Sequence, residues 1–90
     1  MSIVSSIRER LATLKPEHLE IGDDSAKHAG HAGARGGGGH FRVTIVSNAF
    51  AGCSAMARHR LVYQALGDMM KHDIHAMSIV AKTPDEYSAR

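Results

Sequence analysis

His40-Phe41-Arg42-Val43-Thr44-Ile45-Val46-Ser47 is the stretch on which the fold turns. In an extended chain Phe41, Val43 and Ile45 share one face, and Arg42 and Thr44 share the other. Such a strand has one apolar side and needs a second layer over it. Ile74 to Ala81 (IHAMSIVA) reads as another strand, with the β-branched content and length to pair with 40–47. Between the two, residues 48–53 form a turn containing Gly52. Ser54 to about Lys71 then reads as helix, with room for a short helix and turn ahead of it. Val62, Ala65, Leu66, Met69 and Met70 recur at spacings of three and four. Ser54 suits the N-cap, and Lys71 and His72 suit the negative pole of the helix dipole.

Upstream, residues 25–39 (SAKHAGHAGARGGGG) read as a mobile loop. Four consecutive glycines have the largest backbone entropy to lose and no side chains to bury. Leu19-Glu20-Ile21 is a short alternating strand, and Gly22-Asp23-Asp24-Ser25 a solvated turn. Residues 2–15 form a helix, with Ile3, Ile7, Leu11 and Leu14 on one face; Pro16 stops it at Lys15. Downstream, Thr83-Pro84-Asp85-Glu86 has the grammar of a helix start. The order is therefore α, β, β, α as one helix or a split pair, β and a final helical turn. Strands and helices do not alternate strictly, so an α+β fold with a small mixed sheet is expected, its first two strands joined by a wide hairpin.

Ninety residues and 9.7 kDa make one domain, residues 1–90. Of 39 hydrophobic residues 13 are alanine, which leaves 26 for a core: enough for two layers, not for a deep cavity. With no Trp and four Phe and Tyr, a platform stacking many bases is not expected. No apolar run approaches the ~20 residues of a membrane span, and the N-terminus lacks a secretory h-region. A cytoplasmic protein without membrane contact is expected. Net charge is +2, modest for an electrostatic nucleic-acid binder.

Cys53 is the single cysteine, so neither an internal disulfide nor a four-thiolate metal site is available within one chain. Seven histidines in 90 residues are the compositional anomaly. Neutral imidazole is the commonest metal ligand. His28 and His31 lie on the glycine-rich loop; His75 lies on a strand in phase with Met77 and Ile79. If the loop folds over the sheet edge, a loop histidine and His75 converge into half of a four-ligand site, and another molecule must complete it. The plainer alternatives are solvated loop histidines and a half-buried, hydrogen-bonded His75. Cys53 and Ser54 lack a positioned base, so no catalytic constellation is present and no enzyme is expected. Gly36–Gly39 is not a P-loop, because no Gly-Lys-Ser/Thr follows and the run enters a strand. Arg58-His59-Arg60 near a helix start suits phosphate, or simply a solvated face.

Taken together, Asp23-Asp24-Ser25, His28-Ala29-Gly30-His31, His40-Phe41-Arg42-Val43, Phe50-x-Gly52-x-Ser54, Arg58-His59-Arg60-Leu61-Val62-Tyr63, Ile74-His75-Ala76 and Ala81-x-Thr83-Pro84 resemble the BolA family. The resemblance runs from about Ile7 to Glu86, and the loop looks most like alphaproteobacterial members. It implies an α-β-β-α-α-β order, a three-stranded mixed sheet with helices on one face, similar to a type II KH domain.

The resemblance also implies a function. Family members bind monothiol glutaredoxins and share a [2Fe–2S] cluster with them. The glutaredoxin supplies a cysteine thiolate and glutathione a second one. The remaining ligands carry over onto His75 and onto His28 or His31. His28 is preferred, because it follows Asp-Asp-Ser at the family's offset. Cys53 is not at the position where some relatives place a loop cysteine. Imidazole ligation raises a cluster's potential, as in Rieske centres, and makes binding proton-dependent. The isolated chain, a monomer or weak homodimer, is expected to hold no cluster. The expected role is thus a non-enzymatic iron–sulfur adaptor in cluster delivery or iron homeostasis. The alternative is a DNA-binding transcriptional regulator of stress or morphology, with Arg58, Arg60 and Lys71 on phosphate. Residues 52–58 lack the KH G-x-x-G signature, which weighs against it.

Overall fold

The computed structural model describes residues 2–24 and 39–88. Helix α1 spans Ile3–Leu11 and runs into a 3₁₀ turn, Ala12–Leu14. Strands β1 (His18–Asp23) and β2 (Gly39–Val46) follow, then a 3₁₀ turn at Asn48–Phe50. The chain continues through α2 (Ala55–Leu66), α3 (Met69–His72), β3 (Ile74–Lys82) and α4 (Pro84–Ser88). The sheet order is β1-β2-β3, with β1 antiparallel and β3 parallel to the central β2. This is the mixed three-stranded α+β layout that the alternation of 40–47 and 74–81 predicts. His28 and His31, with the rest of 25–38, lie outside the described residues.

Alternation in β2 decides the layers. Phe41, Val43 and Ile45 are buried, while Arg42 is exposed. Ile7 and Leu11 of α1 and Val62 and Leu66 of α2 close over that apolar face, with Phe50, Met69 and Ile74 completing the core. Ser2 caps α1 by accepting the Ser5 N–H at 3.0 Å. At the other end Pro16 disfavours the helical region for Lys15, which adopts a left-handed φ of 50°. The buried Ser47 joins layers: its hydroxyl donates to the Leu14 carbonyl at 2.5 Å and accepts the Ala49 N–H at 3.0 Å.

The helix that periodicity reads over 54–71 is two, the α-α pair that the resemblance implies. Ser54 caps α2 as predicted, accepting the Ala57 N–H at 3.1 Å. The helix stops at Leu66 because Gly67 takes φ 56° and ψ −128°, a conformation open to glycine and little else. Arg10 seals the break by donating Nη1–H to the Leu66 carbonyl at 2.7 Å. A Cβ on Gly67 would also stand 3.1 Å from that Nη1. Gly67→Ala should therefore cost about 1–3 kcal/mol in urea unfolding. A loss below a few tenths would show that the turn relaxes freely.

Helices α1 and α2 take one face of the sheet, as expected. The short α4 adds a cover at the far end of the other face. Val46 shares its face with Arg42 and Thr44, is opposite His18, and is 2% exposed. Tyr87 of α4 stacks on the His18 ring at 5.1 Å and 25°. Thr83 and Glu86 form the capping box read from the sequence: the Glu86 N–H donates to Thr83 Oγ1 at 3.2 Å, and the Thr83 N–H to Glu86 Oε1 at 2.9 Å.

Candidate metal centre

Parallel pairing starts β2 and β3 at the same end of the sheet. Gly39 is opposite Ile74 and donates its N–H to the Asp73 carbonyl at 2.9 Å. The next pair is His40 with Ala76, so β3 carries one extra residue there, His75. Strict alternation would put His75 on the core face with Met77 and Ile79. The irregularity reverses that: Ile74 is buried, and His75 and Ala76 are both exposed. A bulge re-aims a side chain and bends the strand locally.

The histidine so exposed has a neighbour. The rings of His40 and His75 lie 5.1 Å apart, their planes at 46°. Beside them Asp24, His40, Phe41, Ala76, Met77 and Ser78 line a shallow depression of about 170 Å³. Asp24 is not the solvated turn carboxylate its sequence suggests. Its N–H donates to the His40 carbonyl at 2.7 Å, and its carboxylate accepts Arg42 Nε–H at 2.7 Å. That hydrogen bond and charge raise the Arg42 pKa above its usual value. Gly22 makes room for this pair; a Cβ there would stand 2.5 Å from Arg42 Nη2.

His40 and His75 offer two imidazole nitrogens at one place. Among the described residues no three His, Cys, Asp or Glu side chains cluster so as to hold a metal ion. Residues 24 and 39, which bound the stretch carrying His28 and His31, both bond to this end of the sheet. His40 is the residue that sequence reasoning missed. Its signal was its place at the start of the central strand, which matters once β3 is known to run parallel to β2.

The basic residues are placed differently. Arg58 is an internal clamp: Nε–H donates to the Cys53 carbonyl at 3.0 Å and Nη1–H to the Ala81 carbonyl at 3.0 Å. Its guanidinium also grips the Glu86 carboxylate at 2.6 and 3.0 Å. Four of its N–H groups are thereby engaged, which leaves little for phosphate. Arg60 is exposed on α2, and Lys71, exposed on α3, lies 3.9 Å from Asp68. Cys53, partly buried, donates its thiol to the Ala49 carbonyl at 3.7 Å and takes no part in the histidine site.

The clamp has a pH signature. Arg58 and the Thr83 N–H hold the Glu86 carboxyl at about 2, against an ordinary 4.5. A depressed folded pKa contributes stability above the unfolded value and loses it as pH falls through the folded one. The docking of α4 should therefore weaken between about 4.5 and about 2. NMR should show the Glu86 carboxyl titrating near the lower value, with the His18–Tyr87 contact fading alongside. A midpoint near 4.5 would mean the clamp does not persist in solution.

Comparison with known proteins agrees with this architecture. A family model described as BolA-like protein matches residues 11–86. SufE-like protein 1, chloroplastic/mitochondrial, from Arabidopsis thaliana is 52% identical over 86 residues, spanning 89% of this chain and 23% of that protein. Protein BOLA1, chloroplastic, from the same plant is 48% identical over 86 residues, spanning 91% and 54%. The chain thus covers about a quarter and about half the length of these two curated relatives. The structure of BolA1 from Arabidopsis thaliana superposes with a TM-score of 0.82 at 46% identity, covering 96% of both chains. The fold, the motifs and these matches agree, and the chain belongs to the BolA-like protein family.

Proposed function

We propose that this chain is a non-enzymatic iron–sulfur adaptor, which binds a monothiol glutaredoxin and shares a [2Fe–2S] cluster with it for cluster delivery or iron homeostasis. The observation that carries the reading is the bulge that presents His75 to solvent beside His40. A buried His75 would have spoken for a packing role. Neutral imidazoles fit iron as nitrogen donors, and a pair of them would supply two of the four terminal ligands of a [2Fe–2S] cluster, leaving two to outside donors. A partner cysteine and glutathione would supply these as thiolates. On this reading His75 is one ligand, and the second nitrogen comes from His28, His31 or His40.

Membership of the BolA-like family supports an iron–sulfur role. The lone cysteine agrees with a cluster that needs thiolates from elsewhere. A role on duplex DNA draws no support from Arg58, whose guanidinium is engaged internally.

The test is anaerobic reconstitution with a monothiol glutaredoxin, glutathione, iron and sulfide, followed by visible absorption and circular dichroism. A spectrum distinct from that of the glutaredoxin with glutathione alone, co-eluting with a one-to-one complex, is expected. An unchanged glutaredoxin spectrum defeats the proposal.

A further inference from the structure

Among the described residues strand β3 is an edge of the sheet, with β2 on one side and no strand on the other. Edge strands present unpaired N–H and C=O groups, and proteins usually guard them with charge, proline or a cover. From Ile74 to Ala81 this edge has no fixed charge and no proline. Val80 is 45% exposed on the face away from the helices. The opposite edge, β1, is different: it carries Glu20 and Asp23.

The hydrogen bonds show which β3 residues face outward. Lys82 gives its carbonyl inward to the Ser47 N–H, and Ala81 gives its carbonyl outward to Arg58. Alternation then points the backbone groups of Met77 and Ile79 to the open side, with Ala76, Ser78 and Val80 bonding to β2. Arg58 closes the edge at Ala81 and the bulge interrupts it at His75, which leaves 76–80 as the regular free stretch.

We propose that this edge pairs with the same edge of a second copy, antiparallel, about a two-fold axis at Ser78. That register lets Met77 and Ile79 of one copy exchange backbone hydrogen bonds with Ile79 and Met77 of the other. It places Ser78 against Ser78, and Ala76 against Val80, so no like charges meet. A two-fold contact is self-complementary by construction, and an uncharged strand is the kind that can face itself. The two His75 residues end up six residue steps apart, about 20 Å. The pairing is therefore independent of the metal site.

Sedimentation equilibrium of the full chain should show a rise from monomer toward dimer up to about 1 mM, since so short an interface is a weak one. Ser78→Lys alone and Ser78→Glu alone should each stay monomeric at every concentration, because each sets like charges opposite one another. An equal mixture of the two should dimerise at least as well as the wild type. Val80→Lys gives a second guard on the same face, and circular dichroism checks that each variant folds. A wild-type chain that stays monomeric overturns self-pairing and leaves the edge to an extended segment of another protein. Dimers that survive in Ser78→Lys, or a mixture that stays monomeric, overturn the edge or the register.

Discussion

Replacing His75 with alanine should strip the reconstituted complex of its distinctive visible spectrum while leaving the protein's stability almost untouched. The two halves of that result come from one geometric fact. His75 sits at the bulge of β3, exposed, with its backbone held by the strand. Truncating an exposed side chain away from special features usually changes stability by no more than about 0.5 kcal/mol. The loss of a ligand is another matter. Removing even the residues that orient a ligand typically costs ~10–100-fold in metal affinity, so deleting the donor itself should cost at least that. The expected readout is cluster release at least about tenfold faster, with shifted absorption and circular dichroism. His40→Ala, made alongside, asks whether its ring, 5.1 Å away, is a donor or a neighbour that orients His75. As a donor it should shift the spectrum as His75→Ala does; as an orienting neighbour it should change release rates with little change of spectrum. Equal spectra and release rates for His75→Ala and wild type would remove His75 from the coordination sphere.

Phe50→Ala should produce the largest loss of stability among the substitutions considered. Phe50 is fully buried and belongs to the same core as Ile45, Val62 and Leu66. It occupies the 3₁₀ turn that leads from β2 toward α2, and so helps seat the helix on the sheet. Emptying such a site typically costs 3–5 kcal/mol, roughly the transfer of the ring plus the cavity it leaves. Small domains have roughly 5–15 kcal/mol in total, so about a fifth or more of the stability would go. Urea unfolding at 25 °C measures it. Met56→Ala, on the exposed side of α2 at 65% accessibility, is the matched control and should stay within about 0.5 kcal/mol. A Phe50→Ala loss under about 1 kcal/mol would mean the neighbouring helices collapse into the space, contrary to the close packing of small cores.

Local chemistry was legible where one residue acts on its near neighbours. The Ser54 cap, the Thr83–Glu86 box, the stop at Pro16 and the alternation of 41, 43 and 45 all follow from interactions within a few positions. The break at Gly67 was not legible in the same way. A helix tolerates glycine, and the apolar stripe runs on through Met69 and Met70, so periodicity alone favours one helix. What interrupts it is a backbone conformation sealed by Arg10, 56 residues away in sequence from Leu66. The internal engagement of Arg58, against its reading as a phosphate ligand, was hidden for the same reason. A basic residue at a helix start looks free until Glu86, 28 positions later, is folded back onto it.

The histidine site divides along the same line. Sequence by itself determined that His75 lies on a strand and that one cysteine cannot complete a thiolate site; its reading of His28 and His31 as loop residues concerns a stretch outside the described residues. Periodicity and composition suffice for such statements, because each concerns a residue and its local chain. The tertiary structure alone decided that His75 faces solvent and that His40 stands beside it. Both depend on the register between two parallel strands more than 30 residues apart, and on one extra residue in one of them. Strand register is a property of the pair, set by which side chains the helices bury, and no single stretch of sequence contains it.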